Sequence, residues 1–448
     1  MRLTLVLTMV LGCGLAHAKA ASIRSYFNHR VEASYVDSIH KVSRNGDDLE
    51  AVILAEIGKA KTSIFVAVQE LRLPSIAKLL VAKARAGVDV RVVLEDSYNH
   101  NITARPNGGD GTEQDNPDAY DALRFRELVA LTDVDGDGRV TIPEMAERDA
   151  VYILQQAKIP LHDDTIDGSQ GSGLMHHKFV VIDGRTVIMS SANFTASCIH
   201  GDALNPTSRG NANAMMVADS APLAALFTEE FAEMWAGRFG QRKRFRGARS
   251  VKIGTKQITV QFSPTSKLAT WSQSTNGLIA SHLAQAEKSI QSALFVFSEQ
   301  QIANAMQQAH GQATVSVVVD PKFAFRPYSE VLDLLGLTLL DPQTCHTETG
   351  NAPWRQPADR VGVPTLARGD LLHHKFAVVD TKKVIFGSHN WSESANSTND
   401  EFAVVLEDNT VATKFAHEFE RIGARARWGA PSHLKYKAQS FGDACARR

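Results

Sequence analysis

The chain lacks an excess of either charge: 48 lysines and arginines face 49 aspartates and glutamates. No bulk positive field holds it on nucleic acid, although a local basic groove stays open. Glycine and proline together make only 45 of 448 residues, and apolar residues run throughout, which excludes a collagen-like repeat and low-complexity disorder. Aromatics are 7% of the chain, and around its basic stretches Phe239, Phe245, Trp428 and Tyr436 are too sparse for a base-stacking platform. After the first twenty residues no apolar run reaches membrane-spanning length. Those twenty differ from the rest: Arg2, a run of 13 from Leu3 to Leu15, then Ala16-His17-Ala18. The run is too short to span a bilayer, and its small-residue exit predicts a signal peptide over residues 1–20 and a secreted or periplasmic protein. Val10-Leu11-Gly12-Cys13 offers a lipoprotein variant anchored through Cys13. Four cysteines are present; three remain after cleavage, Cys198, Cys345 and Cys445, so one pair would leave one thiol over and the sequence does not choose the pair.

What is present is an internal repeat. The segments Lys61 to Val68 and Ser75-Ile76-Ala77 return as Lys288-Ser289-Ile290 onward and Gln301-Ile302-Ala303, with Ser63 to Ser289 and Ile76 to Ile302 both at an offset of 226. Met175-His176-His177-Lys178-Phe179 returns as Leu372-His373-His374-Lys375-Phe376 at 197, as do Asp183 with Asp380, Ser191 with Ser388 and Asn193 with Asn390. Each copy reads as helix (51–61, 277–288), apolar strand, helix, apolar strand (88–94, 314–319) and then a hairpin, Phe179 to Ile182 and Val187 to Met189 about Asp183-Gly184. The expectation is an α/β fold of two tandem pseudo-symmetric α/β/α sandwich domains, 21–250 and 251–448. Shifts of offset place about 48 extra residues between Glu95 and Val151, about 19 before the second histidine motif around Cys345 and Trp354, and about nine between Asn193 and Phe231.

The long insertion, over about 118–150, contains Asp133-Val134-Asp135-Gly136-Asp137-Gly138-Arg139-Val140-Thr141-Ile142-Pro143-Glu144. Carboxylates stand at loop positions 1, 3 and 5, glycine at 6, a backbone carbonyl from Arg139 at 7, Thr141 at 9 and Glu144 at 12, the oxygen set for Ca²⁺. The segment resembles an EF-hand. Leu123, Phe125, Leu128 and Val129 would face the entering helix inward, with an exit helix over 145–156. A single loop suits a structural or regulatory calcium ion better than a sensor that opens a groove.

Along a strand, residues two apart share a face, so His176 goes with Lys178 and His373 with Lys375. The returning strand brings Ser191 and Asn193, or Ser388 and Asn390, to the same end. An imidazole, an ammonium, a hydroxyl and an amide together suit a phosphoryl centre, with the imidazole as nucleophile or proton donor. The clustered cysteine, histidine and acidic ligands of a catalytic zinc are missing.

On these residues the sequence resembles the phospholipase D superfamily, the two-motif HKD phosphodiesterases. His373, Lys375, Asp380, Gly387, Ser388 and Asn390 match its motif; His176, Lys178, Asp183, Ser191 and Asn193 match it with Ser190 in place of glycine. The resemblance implies a site shared between the halves, no cofactor for catalysis, and two steps: one histidine forms a phosphohistidine while the other protonates the leaving alcohol and then activates water. It also implies an acidic residue after the motif that orients the histidine, a place filled by Glu401 in the second copy and by Asn213 in the first. Within each copy, Glu401 would favour a protonated His373 and Asn213 a neutral His176, making His176 the nucleophile and His373 the acid.

Basic runs lie between the copies (Arg238, Arg242, Lys243, Arg244, Arg246, Arg249, Lys252) and near the end (Arg421, Arg425, Arg427, Lys435, Lys437, Arg447, Arg448). They read as solvated surface or as attraction to an anionic phosphodiester. A secreted enzyme hydrolysing glycerophospholipids at a membrane surface is the leading expectation, ahead of a secreted or periplasmic endonuclease and an inactive calcium-dependent binding module. No protein partner is inferred.

Overall fold

The computed structural model describes residues 22–103, 117–166, 173–202, 205, 207–341 and 343–447. The expected signal peptide and Cys13 lie outside them. The first copy forms a seven-stranded sheet from β1 (Ser22–Phe27), β2 (Ser63–Val68), β3 (Asp89–Leu94), β4 (Leu161–Asp163), β5 (Lys178–Ile182), β6 (Thr186–Ser190) and β7 (Ala214–Asp219), in the order β1-β7-β6-β5-β2-β3-β4. The second forms a nine-stranded sheet from β8 (Arg249–Ile253), β9 (Lys256–Ser263), β10 (Ser289–Leu294), β11 (Thr314–Val319), β12 (Arg360–Val363), β13 (Lys375–Val379), β14 (Lys383–Gly387), β15 (Glu401–Glu407) and β16 (Arg427–Trp428), in the order β8-β9-β15-β14-β13-β10-β11-β12-β16. Without the edge strands β8 and β16 the two orders are the same. β8 starts at Arg249, so the expected domain boundary falls inside a strand of the second sheet.

Alternation along the strands sends one face of each sheet to a different core. Val180, Ile182 and Ile188 pack outward under α1 (Leu49–Gly58) and α2 (Pro74–Arg85), whereas Val181, Val187 and Met189 face inward. The inward faces of both sheets share one core with the helices Ala221–Trp235 and Asn409–Gly423, through Phe227 and Phe231 from one and Phe415 and Phe419 from the other. The halves are thus packed face to face across two helices, and Phe27 of β1 meets Phe415 at 4.9 Å.

The predicted hairpin is observed, with Phe179 opposite Met189. Its turn residues Asp183 and Gly184 have φ of 51° and 58°, the left-handed pair of a type I′ turn that Arg185 N–H closes onto Ile182 O, and Asp380 and Thr381 repeat it. The first helices of each copy are shorter than expected: they end at Gly58 and Leu283 rather than at 61 and 288. The cause is the turn aspartate. Asp183 accepts from the backbone N–H groups of Lys61, Thr62 and Ser63, and Asp380 from those of Glu287, Lys288 and Ser289, drawing both segments out of the helix and into the strand.

The insertion places α3 (Pro117–Thr132), the acidic loop and α4 (Ile142–Arg148) in sequence. The expected continuous exit helix is broken at Asp149, whose carboxylate caps a new helix, α5 (Ala150–Gln156), through Val151 and Tyr152 N–H and also accepts from Ile102 N–H. α5 belongs to the outer core of the first half, while Leu128 and Met145 of the insertion cluster separately with Ile102. Phe125 is exposed, against the expectation of an inward face, and the Leu123 side chain lies outside the described residues. Cys345 and Cys445 form the disulfide, joining the last helix, Ser432–Ala446, to the extra segment of the second half, and Cys198 is buried as a free thiol.

Candidate active site

The two histidine motifs meet where the halves are stitched together. His176 N–H donates to Asp400 O at 3.0 Å and Asp400 N–H to Leu174 O at 2.8 Å; the mirrored pair is His373 N–H to Ala212 O at 3.0 Å and Ala212 N–H to Leu371 O at 2.7 Å. Each histidine is therefore held by the backbone of the other copy. The side chains follow the same crossing. His176 Nδ1 lies 2.7 Å from Glu401 Oε2, and His373 Nδ1 lies 3.0 Å from Asn213 Oδ1.

This corrects the expected pairing: Glu401 orients His176, not His373, and Asn213 orients His373, not His176. A reading within each copy misses it because β15 and the segment before β7 deliver these residues across the seam. Both acceptors fix the proton on Nδ1 and leave Nε2 for chemistry. His176 and His373 are 6% and 7% exposed and Glu401 is fully buried, so water screens the pair little. Burial, with Lys178 and Lys375 nearby, holds the His176 imidazole well below its ordinary value, while burial raises the Glu401 carboxyl against the pull of His389 and both lysines.

Lys178 and Lys375 are buried, and each Nζ donates to the carbonyl of its own motif histidine at 2.8 Å. Burial pushes Lys178 down to about 7 and Lys375 well below its ordinary value. Beyond this the halves differ. Gln69, just after β2, accepts from Lys178 Nζ at 3.3 Å and from Asn193 Nδ2 at 3.2 Å. At the matching position after β10, the ring of Phe295 lies 4.9 Å from Lys375 Nζ and edge-on to His373 at 4.8 Å. Asn193 and Asn390 each bury an amide oxygen with no hydrogen-bond partner among the described residues.

The remaining motif residues stand one layer back or farther. Ser191 Oγ donates to Asn213 Oδ1 at 2.8 Å, and Ser388 Oγ accepts from Phe402 N–H at 3.1 Å, so each serine secures the segment that orients a histidine. Asp183 and Asp380, expected at the site, sit at the far ends of β5 and β13, about 16 Å along a five-residue strand, where they bind backbone amides as described above. Sequence reasoning missed Gln69, Phe295, and the glutamates Glu230 and Glu418, which take His177 Nε2 at 3.0 Å and His374 Nε2 at 3.1 Å. The signal was in the repeat: Glu230 and Glu418 occupy matched positions.

Away from this seam, the acidic loop brings oxygens of Asp133, Asp135 and Asp137 within 4.8 Å of one another. Glu144 closes the loop, accepting from Val134 N–H and Thr141 N–H at 2.8 Å, and Gly136 and Gly138 take positive φ. The donor set fits a calcium ion.

The fold and the seam define a two-copy α/β protein with one paired-histidine site. The chain belongs to the family described as "Cardiolipin synthase, PLD-like domain", which matches residues 53–235 and 279–423. It is 31% identical over 143 residues to the mitochondrial cardiolipin hydrolase of Mus musculus, a match covering 31% of this chain and 54% of that one. The Danio rerio protein of the same name is 26% identical over 159 residues, covering 36% and 59%. The chain thus spans little more than half the length of these curated relatives. Among solved structures, the phosphatidylserine synthase of Haemophilus influenzae Rd KW20 aligns with 94% of this chain and 95% of its own at a TM-score of 0.53 and 12% identity, a likeness of fold.

Proposed function

We propose that the chain is a phosphodiesterase that hydrolyses glycerophospholipids through a phosphohistidine on His176. The observation that carries this reading is the crossed and unequal support of the two histidines: a carboxylate behind His176, an amide behind His373. When Nε2 of His176 bonds to phosphorus the ring gains positive charge, and the buried Glu401 carboxylate stabilises that charge where Asn213 supplies only a dipole. Burial keeps His176 neutral beforehand, as a nucleophile must be. The assignment therefore agrees with the expectation from sequence, but for the opposite reason. In the first step the Nε2–P bond forms, the P–O bond to the alcohol breaks, and His373 gives its proton to the leaving oxygen. In the second, His373 takes a proton from water, the new O–P bond forms and His176 is released. Lys178, Lys375, Asn193 and Asn390 are the groups available to the non-bridging oxygens.

The lipid substrate is supported by the names of the relatives, and by the fate of the basic run between the copies. Arg238 and Arg246 pair with Glu233, Arg249 pairs with Glu229, and Lys243 is buried, so four of its seven members are spent inside the chain rather than forming an anion track. Export, expected from residues 1–20, agrees with the Cys345–Cys445 disulfide. Calcium at Asp133, Asp135, Asp137, Arg139, Thr141 and Glu144 would brace the insertion, with no part in phosphoryl transfer. The test offers EDTA-treated protein cardiolipin or phosphatidylcholine vesicles and plasmid DNA in parallel, with a primary alcohol. Phosphatidylalcohol with intact plasmid is expected; nicked plasmid with unchanged lipid overturns the lipid reading. Millimolar calcium should raise the melting temperature of the wild type and not of Glu144→Gln, and equal responses would remove the calcium site.

A further inference from the structure

The basic run holds one residue that does not behave as surface charge. Lys243 lies just after the helix that packs between the sheets, its side chain is 5% exposed, and all three ammonium protons are engaged. Its partners are Glu230 of the first half, Asp400 of the second at 2.8 Å, and Ser263 O at 2.9 Å. Both carboxylates are attached to the machinery of His176. Glu230 takes His177 Nε2, the residue next to His176. Asp400 offers its backbone carbonyl to His176 N–H and precedes Glu401, and its carboxylate also takes Gly240 N–H at 2.9 Å. The second histidine has half of this arrangement: Glu418, which takes His374 Nε2, pairs with Arg421, but the residue matched to Asp400 across the seam is Ala212, which has no carboxylate to complete a bridge.

We propose that Lys243 is a positioning residue for His176: it locks Glu230 to Asp400 across the seam and so sets the register in which Glu401 meets the nucleophilic ring. The inference rests on the reading of His176 as nucleophile. Its physical basis is that a buried charge held by two opposite charges and a carbonyl is costly to displace, so the segment Asn399 to Glu401 has one available position relative to His176. A displacement of about 1 Å at the attacking nitrogen costs about a hundredfold in rate, which is the scale on which such a clamp acts.

The test uses the full chain, with ¹⁵N-labelled histidine and bis(p-nitrophenyl) phosphate as a diester that commits to no headgroup. The Nδ1–H proton of His176, identified by its loss in Glu401→Gln, reports the clamp without substrate. Lys243→Met should shift or abolish that resonance and slow the first turnover by about tenfold to a hundredfold, with KM within about twofold; Lys243→Arg should restore most of both. If Lys243→Met fails to fold, Asp400→Asn is the second variant, and it should give the same signature more weakly. A folded Lys243→Met or Asp400→Asn protein with unchanged resonance and rate overturns the proposal, as does a rate loss that Lys243→Arg does not relieve. A wild type that shows the resonance but cleaves neither this diester nor phospholipid vesicles leaves the clamp standing and refutes the proposed function instead.

Discussion

Replacing Glu401 by glutamine tests the crossed pairing directly. The side chain keeps its length, so packing around a fully buried group is retained, and what changes is the charge 2.7 Å from His176 Nδ1. A hydrogen bond to a charged partner contributes about 1.5–3 kcal/mol, and at 1.36 kcal/mol per decade that is a loss of about tenfold to a hundredfold in the rate of the step that makes His176 cationic. A larger loss, up to about 10⁴-fold, follows if the glutamine amide donates to Nδ1 and forces the proton onto Nε2, because the attacking lone pair is then gone. The assay is rapid-quench single turnover with a ³²P-labelled diester, which separates phosphoenzyme formation from its hydrolysis. Formation should slow by at least tenfold in Glu401→Gln, whereas Asn213→Ala, which acts on the proton donor, should slow both formation, in which the alcohol leaves, and hydrolysis of the phosphoenzyme. Label recovered on His373, or unchanged phosphoenzyme formation in Glu401→Gln, would refute the reasoning.

Other consequences follow from the same contacts. The Cys345–Cys445 link closes a loop of 100 residues, worth at most about 4.7 kcal/mol by chain entropy, and the last helix otherwise buries only Leu434. Reduction should therefore free that helix to tryptic cleavage at Lys435 and Lys437 without loss of activity, and simultaneous loss of activity would show that it supports the site. Burial brings Lys178 down to about 7 from 10.5, so the folded state binds fewer protons than the unfolded state between those values, and this lysine's contribution to stability rises with pH across that window. An anion in the site reverses the shift; calorimetry of vanadate binding at pH 8 in buffers of different ionisation enthalpy should show proton uptake, and zero uptake would remove the neutral lysine. Asp183→Ala and Asp380→Ala should lower the melting temperature with kcat per folded molecule unchanged, since both carboxylates bind backbone amides at the far strand ends; a selective loss of kcat would return them to the site.

The tandem α/β halves, the hairpins and the chemistry-bearing side chains were legible because repetition carries them: His176 and His373, Lys178 and Lys375, Asn193 and Asn390 recur at a fixed offset. The same regularity misled in two places. Asp183 and Asp380 recur as faithfully as the histidines, yet they hold a turn, since duplication preserves a fold as strictly as a site. Glu401 and Asn213 were located correctly and paired wrongly, because matching a residue to its counterpart says nothing about which copy it serves. Gln69 and Phe295 occupy one place in the two copies, so comparing for likeness passes over them, although their difference is what distinguishes the surroundings of Lys178 and Lys375.

Crossing has a consequence for how one chain divides labour between two equal motifs. Were each histidine served by its own copy, either half could keep a working half-site and drift separately. Here the orienting group of each ring, and the carbonyl that takes its backbone N–H, belong to the other copy, so separating the halves would remove the Nδ1 acceptor of both rings. Fusion in a single chain then permits what a symmetric pair of identical chains forbids: the partner of one ring can change without changing the partner of the other. Glu401 against Asn213, Asp400 against Ala212 and Gln69 against Phe295 are three such changes, and all place the additional polar support on the His176 side. A substitution that equalises only one of these pairs leaves the other two in force. On the proposed mechanism the choice of nucleophile therefore rests on the set, and Glu401 is its largest member because the ring it faces gains charge as the bond to phosphorus forms.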